Sequence, residues 1–180
     1  MMNRTIQEKI NDNHIIFLTS GEIVKGTNEV IIKLLNWNRI SKDIKINLYL
    51  ASDCPSFMHV AAIYDVLMKI ENSISVFCIG RVGGFAMMLL AAGTKGERYA
   101  LKHTAFLLEQ PLGSMDSGNR QQTEYEIMAK ETTLERKELE QAMAEAFNMP
   151  LEKIHDYVEN DTEFSAEEAK ELGFIDEVLE

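Results

Sequence analysis

The chain reads as an α/β protein with largely parallel strand pairing. Three observations lead there. Strand-like apolar runs alternate with helix-like runs from residue 14 to residue 110. The three prolines, Pro55, Pro111 and Pro150, stand where elements begin or end, and no linker-like stretch divides the sequence. Its 180 residues are 46% hydrophobic and 26% charged, the balance of one globular domain able to bury a core without disulfides.

The elements follow in order. Residues 14–20 (HIIFLTS) form a strand candidate. Thr27 is placed to cap a helix running through Trp37, with Val30, Ile31, Leu34 and Leu35 on one face. Ile44, Ile46, Leu48 and Leu50 alternate with Lys45, Asn47 and Tyr49, the period of a half-buried strand. Ser56 is placed to cap a helix ending near Ile70, with Phe57, Val60, Ala61, Tyr64, Leu67 and Met68 inward. Residues 73–79 (SISVFCI) are a short apolar strand. Residues 85–92 (FAMMLLAA) are apolar all round and stop at Gly93, which predicts a buried helix. Residues 98–100 and 105–109 are strand candidates. A long charged helix is expected over about 121–146, its run 131–140 reading as a solvated face with i,i+4 pairs. Pro150 suits the first turn of a short helix. Ser165 and Glu168 form a capping box before a helix ending near Gly173.

The formal net charge of −11 argues against a nucleic-acid partner and against an anionic membrane surface. Cys54 and Cys78 are too few for a disulfide scaffold and read as reduced thiols. The polar start MMNRTIQEKINDN lacks a signal-peptide core, and the apolar run 85–92 is far too short for a membrane span. A soluble cytoplasmic protein is therefore expected, with no cofactor and no metal. Met87, Met88, Met128 and Met143 read as packing residues, and His103 as a loop residue before a strand.

The run CIGRVGGFAMMLLAAGTKGERYALKHTAFLLEQPLG at 78–113 resembles the centre of the Clp protease proteolytic subunit (ClpP) family. HIIFL (14–18), AIYDVL (62–67) and SAEEAKELGFIDEV (165–178) resemble further segments of that family in the same order. The resemblance implies a ClpP/crotonase-type fold of stacked βαβ units with a protruding handle helix. It implies a head over 14–118 and 159–180 and a handle over 119–158. It also implies heptameric rings, usually stacked in pairs through the handle, fed by an AAA+ unfoldase. The family cuts peptides with a Ser-His-Asp triad and an oxyanion hole.

Carried over residue by residue, the nucleophile position is Gly84, the base position is Glu109 and the acid position is Asp161. Glycine has no side chain to acylate, and an orienting acid alone does no catalysis. The two oxyanion-hole donors fall on Pro55 and Phe85, and proline has no N–H to give. The sequence is thus similar to the inactive, ClpR-like members. A structural or regulatory subunit is expected, assembled with copies of itself or with an active paralogue, with possible unfoldase docking. Two working-enzyme alternatives remain open. Cys54 could serve as a re-purposed nucleophile with His59 five residues on. Alternatively, Glu109 could serve a crotonase-like acyl-CoA chemistry, although Pro55 again lacks the needed donor. Glu109 and Asp161 should lie close together, raising one carboxyl pKa. Two departures bear on assembly. About 14 residues precede the first core strand, so an axial hairpin is expected to be short or missing. The family's ring-linking Asp-Arg pair reads Glu159-Asn160.

Overall fold

The computed structural model describes residues 6–111 and 121–180. Five parallel strands lie in the order β1 (Ile15–Thr19), β2 (Ile46–Ser52), β3 (Ile74–Gly83), β4 (Arg98–Leu101) and β7 (Glu177–Leu179). Strand β3 is longer than its apolar run predicts. It bends at Gly80, whose φ of +70° favours glycine. Before the bend β3 pairs with β4 at Val76–Cys78; beyond it, Arg81–Gly83 pair with β5 (Ala105–Leu108). Strand β6 (Thr162–Ser165) runs antiparallel to β5.

The strand faces divide cleanly. Ile16 and Leu18, Leu48 and Leu50, and Val76 and Cys78 are buried. The alternate residues Phe17, Tyr49, Phe77 and Tyr99 stack in register across β1 to β4, with centroids 5.0, 4.9 and 5.1 Å apart. Phe17 is 46% exposed, and the other three rings are half-buried.

Helix α2 (Ser20–Ile40) starts earlier than the Thr27 cap predicted. Thr19 caps it instead: its hydroxyl accepts from the Glu22 N–H, and the Glu22 carboxylate accepts from the Thr19 N–H. Thr27 lies inside the helix, its hydroxyl donating to the Ile23 carbonyl. Gly21 and Gly26 border open space, so the helix runs through them without gaining or losing a contact. Val30 and Leu34 are buried as expected, joined by Ile23 and Trp37, but Leu35 is 48% exposed. The buried stripe follows Ile23, Val30, Leu34 and Trp37, which leaves Leu35 on its solvent side.

Helix α3 (Phe57–Lys69) buries Val60, Ile63 and Leu67, while Met68 points outward rather than inward. Helix α4 (Ala86–Ala91) is buried on every side, as its sequence predicts. Gly93 ends it where a Cβ would come within 2.8 Å of Arg98 Cγ and Val76 Cγ2.

Helix α1 (Ile6–Asp12) precedes β1, and α5 (Gln122–Phe147) is the long helix. Helix α6 (Leu151–Glu159) follows Pro150, and α7 (Ala166–Glu171) carries the predicted Ser165–Glu168 capping box. The run 131–140 is not wholly solvated: Glu140 is buried, accepts from Arg136 Nε at 2.6 Å and meets His155 Nδ1 at 3.0 Å. At the start of β4, Arg98 forks onto Asp176 through Nε at 2.9 Å and a second guanidinium nitrogen at 2.7 Å. The expected boundary at 118/119 and the last two residues of the Gln-Pro-Leu-Gly run lie outside the described residues. Among the described residues no helix is long and apolar enough to cross a membrane.

Candidate functional site

Ligand pockets in parallel sheets form beyond the carboxyl ends of the strands. Here the carboxyl ends of β2, β3 and β5 converge. Strand β2 runs out at Ser52, whose hydroxyl accepts from the Cys54 N–H at 3.1 Å and turns the chain toward Pro55. Ser20 donates to the Asp53 carboxylate at 2.9 Å and fixes the other side of that turn. Strand β3 ends at Gly83, and the next residue, Gly84, is held by its N–H donating to the Leu107 carbonyl at 3.2 Å. Strand β5 leads directly into Glu109 and Gln110.

These ends enclose a pocket of about 310 Å³ lined by Asp53, Pro55, Gly84, Phe85, Glu109, Gln110, Pro111 and Leu139. Among the described residues, no lining side chain is a hydroxyl, thiol, imidazole or amine. Gly84 has φ +53°, and a Cβ built there would stand 3.2 Å from Glu109 Oε1. The glutamate therefore reaches the very space a side chain at 84 would fill. A neighbouring pocket of about 360 Å³ shares Gln110 and Pro111 and continues along α5 past Met128 to Tyr125.

Asp161 lies beside the pocket. Its carboxylate accepts from the Gln110 N–H at 3.0 Å, and its backbone takes a φ of +46°, uncommon for a residue with a side chain. Burial pushes the Glu109 carboxyl up from its ordinary pKa; the Arg81 charge opposes this, and the Asp161 and Asp53 charges add to it. Asp161 thus contributes to the raised Glu109 carboxyl, as expected of a neighbouring acid. Burial, however, outweighs the neighbouring acid as the cause of the shift.

Cys54 does not face the pocket as a reactive thiol. It is fully buried, and burial pushes its pKa up, the Ser56 backbone opposing and Asp53 adding. His59 bonds to Ser56 rather than to Cys54. Cys78 is also fully buried, its thiol pushed up by burial. His103 is exposed on its loop.

Asp53, Arg81 and Gln110 join Glu109 at the site without being predicted there. Arg81 was visible inside the Cys-Ile-Gly-Arg run, and Asp53 beside Cys54. The role of Gln110 arises from a pairing across 51 residues.

A family model for Clp protease matches residues 1–180. The chain belongs to the Clp protease family. It is 34% identical over 171 residues to ATP-dependent Clp protease proteolytic subunit 1 of Thermobifida fusca (strain YX), covering 95% of this chain and 76% of that protein. It is 36% identical over 171 residues to ATP-dependent Clp protease proteolytic subunit 2 of Frankia casuarinae, covering 95% of this chain and 77% of that protein. The mixed sheet with its dominant parallel strands agrees with the Clp protease proteolytic subunit fold.

Proposed function

We propose that this Clp protease family chain is a non-cleaving subunit, similar to ClpR-like members, that builds or regulates a Clp-type ring. One observation carries the proposal. At the positions taken as the family's nucleophile and base, a glycine meets a glutamate carboxylate, and no side chain there can form an acyl-enzyme. Pro55 removes one oxyanion donor, a loss of about 10²–10³ in rate where such donors have been removed singly. Phe85 would supply the other. Asp161 remains, engaged with the Gln110 backbone instead of a histidine.

Support for assembly comes from the surface. The aromatic ladder of β1 to β4 continues into Leu101, 43% exposed, on the same strand face. Contiguous apolar surface of this kind on an isolated subunit marks a contact face. Tyr125, Ile127 and Leu134 are likewise exposed along α5, which we assign to the handle of residues 119–158. The head is then 14–118 and 159–180.

A re-purposed Cys54 has little in its favour, since its thiol is buried and its pKa is raised. A crotonase-like role for Glu109 meets the same missing N–H at Pro55. The test is the mass in solution of the purified chain, alone and mixed with an active Clp proteolytic subunit. A ring-sized species in either sample is expected. A strict monomer in both, at micromolar concentration, would overturn the assembly role.

A further inference from the structure

A hydroxyl and an imidazole that the pocket does not use lie together at the start of α3. Ser56 Oγ stands 2.6 Å from Nδ1 of His59. That is the separation of a nucleophile from its general base. Ser56 occupies the N-cap position, yet its side chain caps nothing. Thr19 and Ser165, at the equivalent positions of α2 and α7, both accept from a first-turn N–H. The Ser56 hydroxyl is thus released from the role its position usually imposes and is turned onto the imidazole. With the imidazole proton on Nε2, Ser56 donates to Nδ1, the arrangement that removes the hydroxyl proton as Oγ attacks. Both residues are half-buried, and the flanking Pro55 and Met58 are exposed, Met58 at 71%, so a small molecule can approach. The first-turn N–H groups at this helix end favour the negative charge that develops in such an attack.

We propose that Ser56, activated by His59, is a nucleophile that accepts acyl or phosphonyl groups from small activated electrophiles. With an alkyl fluorophosphonate, the Oγ–P bond forms as the P–F bond breaks. The hydroxyl proton passes to His59 Nδ1 and fluoride leaves, with no further reactant. This reactivity goes beyond the ring role. It cleaves no peptide and uses neither Gly84 nor Glu109.

The test is labelling of the full chain with an alkyl fluorophosphonate, the adduct located by mass spectrometry of a digest. A saturable adduct on Ser56 is expected. Ser56→Ala should abolish it, and His59→Gln should slow it about 100-fold, the ordinary contribution of a general base. Thermal melts of both variants should match the parent, since Ser56 makes no capping bond. An unlabelled Ser56, or a rate unchanged by His59→Gln, would overturn the proposal. A second measure needs no variant: Ser56 must react faster than Ser165, an exposed serine with no imidazole partner. Equal rates would also overturn it. None of these outcomes alters the solution-mass test of ring assembly.

Discussion

Two carboxylates at opposite ends of the parallel sheet sit in opposite surroundings. Asp176, at the amino-terminal edge beside β4 and β7, is partly buried, and burial alone would raise its pKa. The Arg98 guanidinium and the N–H groups of Arg98 and Gly96 outweigh burial and hold it below the ordinary carboxylate range. Glu109, at the carboxyl-terminal edge, is pushed upward by burial, with Arg81 opposing. One edge of the sheet is a closed lock in which Arg98 and Asp176 satisfy each other. The other is a pocket whose charge is poorly compensated. The lock ties β4 to the start of β7, whereas the pocket holds a carboxyl whose ionised form burial disfavours.

That contrast can be broken from the locked side first. Arg98→Ala should cost about 3 kcal/mol, because it strands a partly buried carboxylate and removes the guanidinium over Phe147, 5.1 Å from the ring centroid. At this chain length the melting temperature should fall by about 10 °C. The same pair gives a pH dependence. Since the folded pKa of Asp176 lies below its unfolded value, its contribution is present at neutral pH. It is lost as pH falls through the folded value. Acid unfolding followed by circular dichroism should therefore show a smaller acid-induced loss in Asp176→Asn than in the parent.

On the pocket side the effects are smaller. Gly84→Ser forces a side chain into a left-handed backbone and against Glu109 Oε1, and should cost about 1–2 kcal/mol in chemical denaturation. On the proposed reading it should restore no peptide cleavage, since Glu109 stands at the base position and Pro55 has no N–H to donate. Leu101→Glu tests the exposed sheet face. It should leave the melt within about 0.5 kcal/mol of the parent while shifting the ring-sized species toward subunits in light scattering. Glu109→Gln is the smallest change. A raised folded pKa means that the ionised form is disfavoured, so stability declines as pH rises past the unfolded value. The glutamine variant should be more stable than the parent at neutral pH by about 0.5 kcal/mol, the partly solvated group being screened. The gain should vanish in acid.

The parallel sheet, the buried α4 and the Ser165 capping box were legible because each rests on local pattern: alternation, an all-apolar run, and a cap three residues from its acid. The start of α2 was not. Gly21 and Gly26 look like breakers in sequence, but both border open space, and the Thr19–Glu22 box outweighs their cost. Strands β6 and β7, at 4 and 3 residues, carry no period of their own and exist only through distant partners. At the site, Gly84, Glu109, Asp161 and Pro55 were placed by resemblance to the family. The carboxylate of Glu109 reaching into the space above Gly84 was beyond any spacing argument. So was the Arg136 cluster. Its i,i+4 partner Glu140 was readable, but its bonds to Glu159 at 2.6 Å and Gln110 at 3.3 Å join three separate elements.

The central claim is that the pocket formed by Gly84, Glu109 and Pro55 cleaves no peptide. It is tested most directly by steady-state hydrolysis of fluorogenic peptides by the purified chain, beside Cys54→Ala and Glu109→Gln variants. All three proteins should be indistinguishable from buffer. Saturable cleavage by the parent that either substitution abolishes would contradict it.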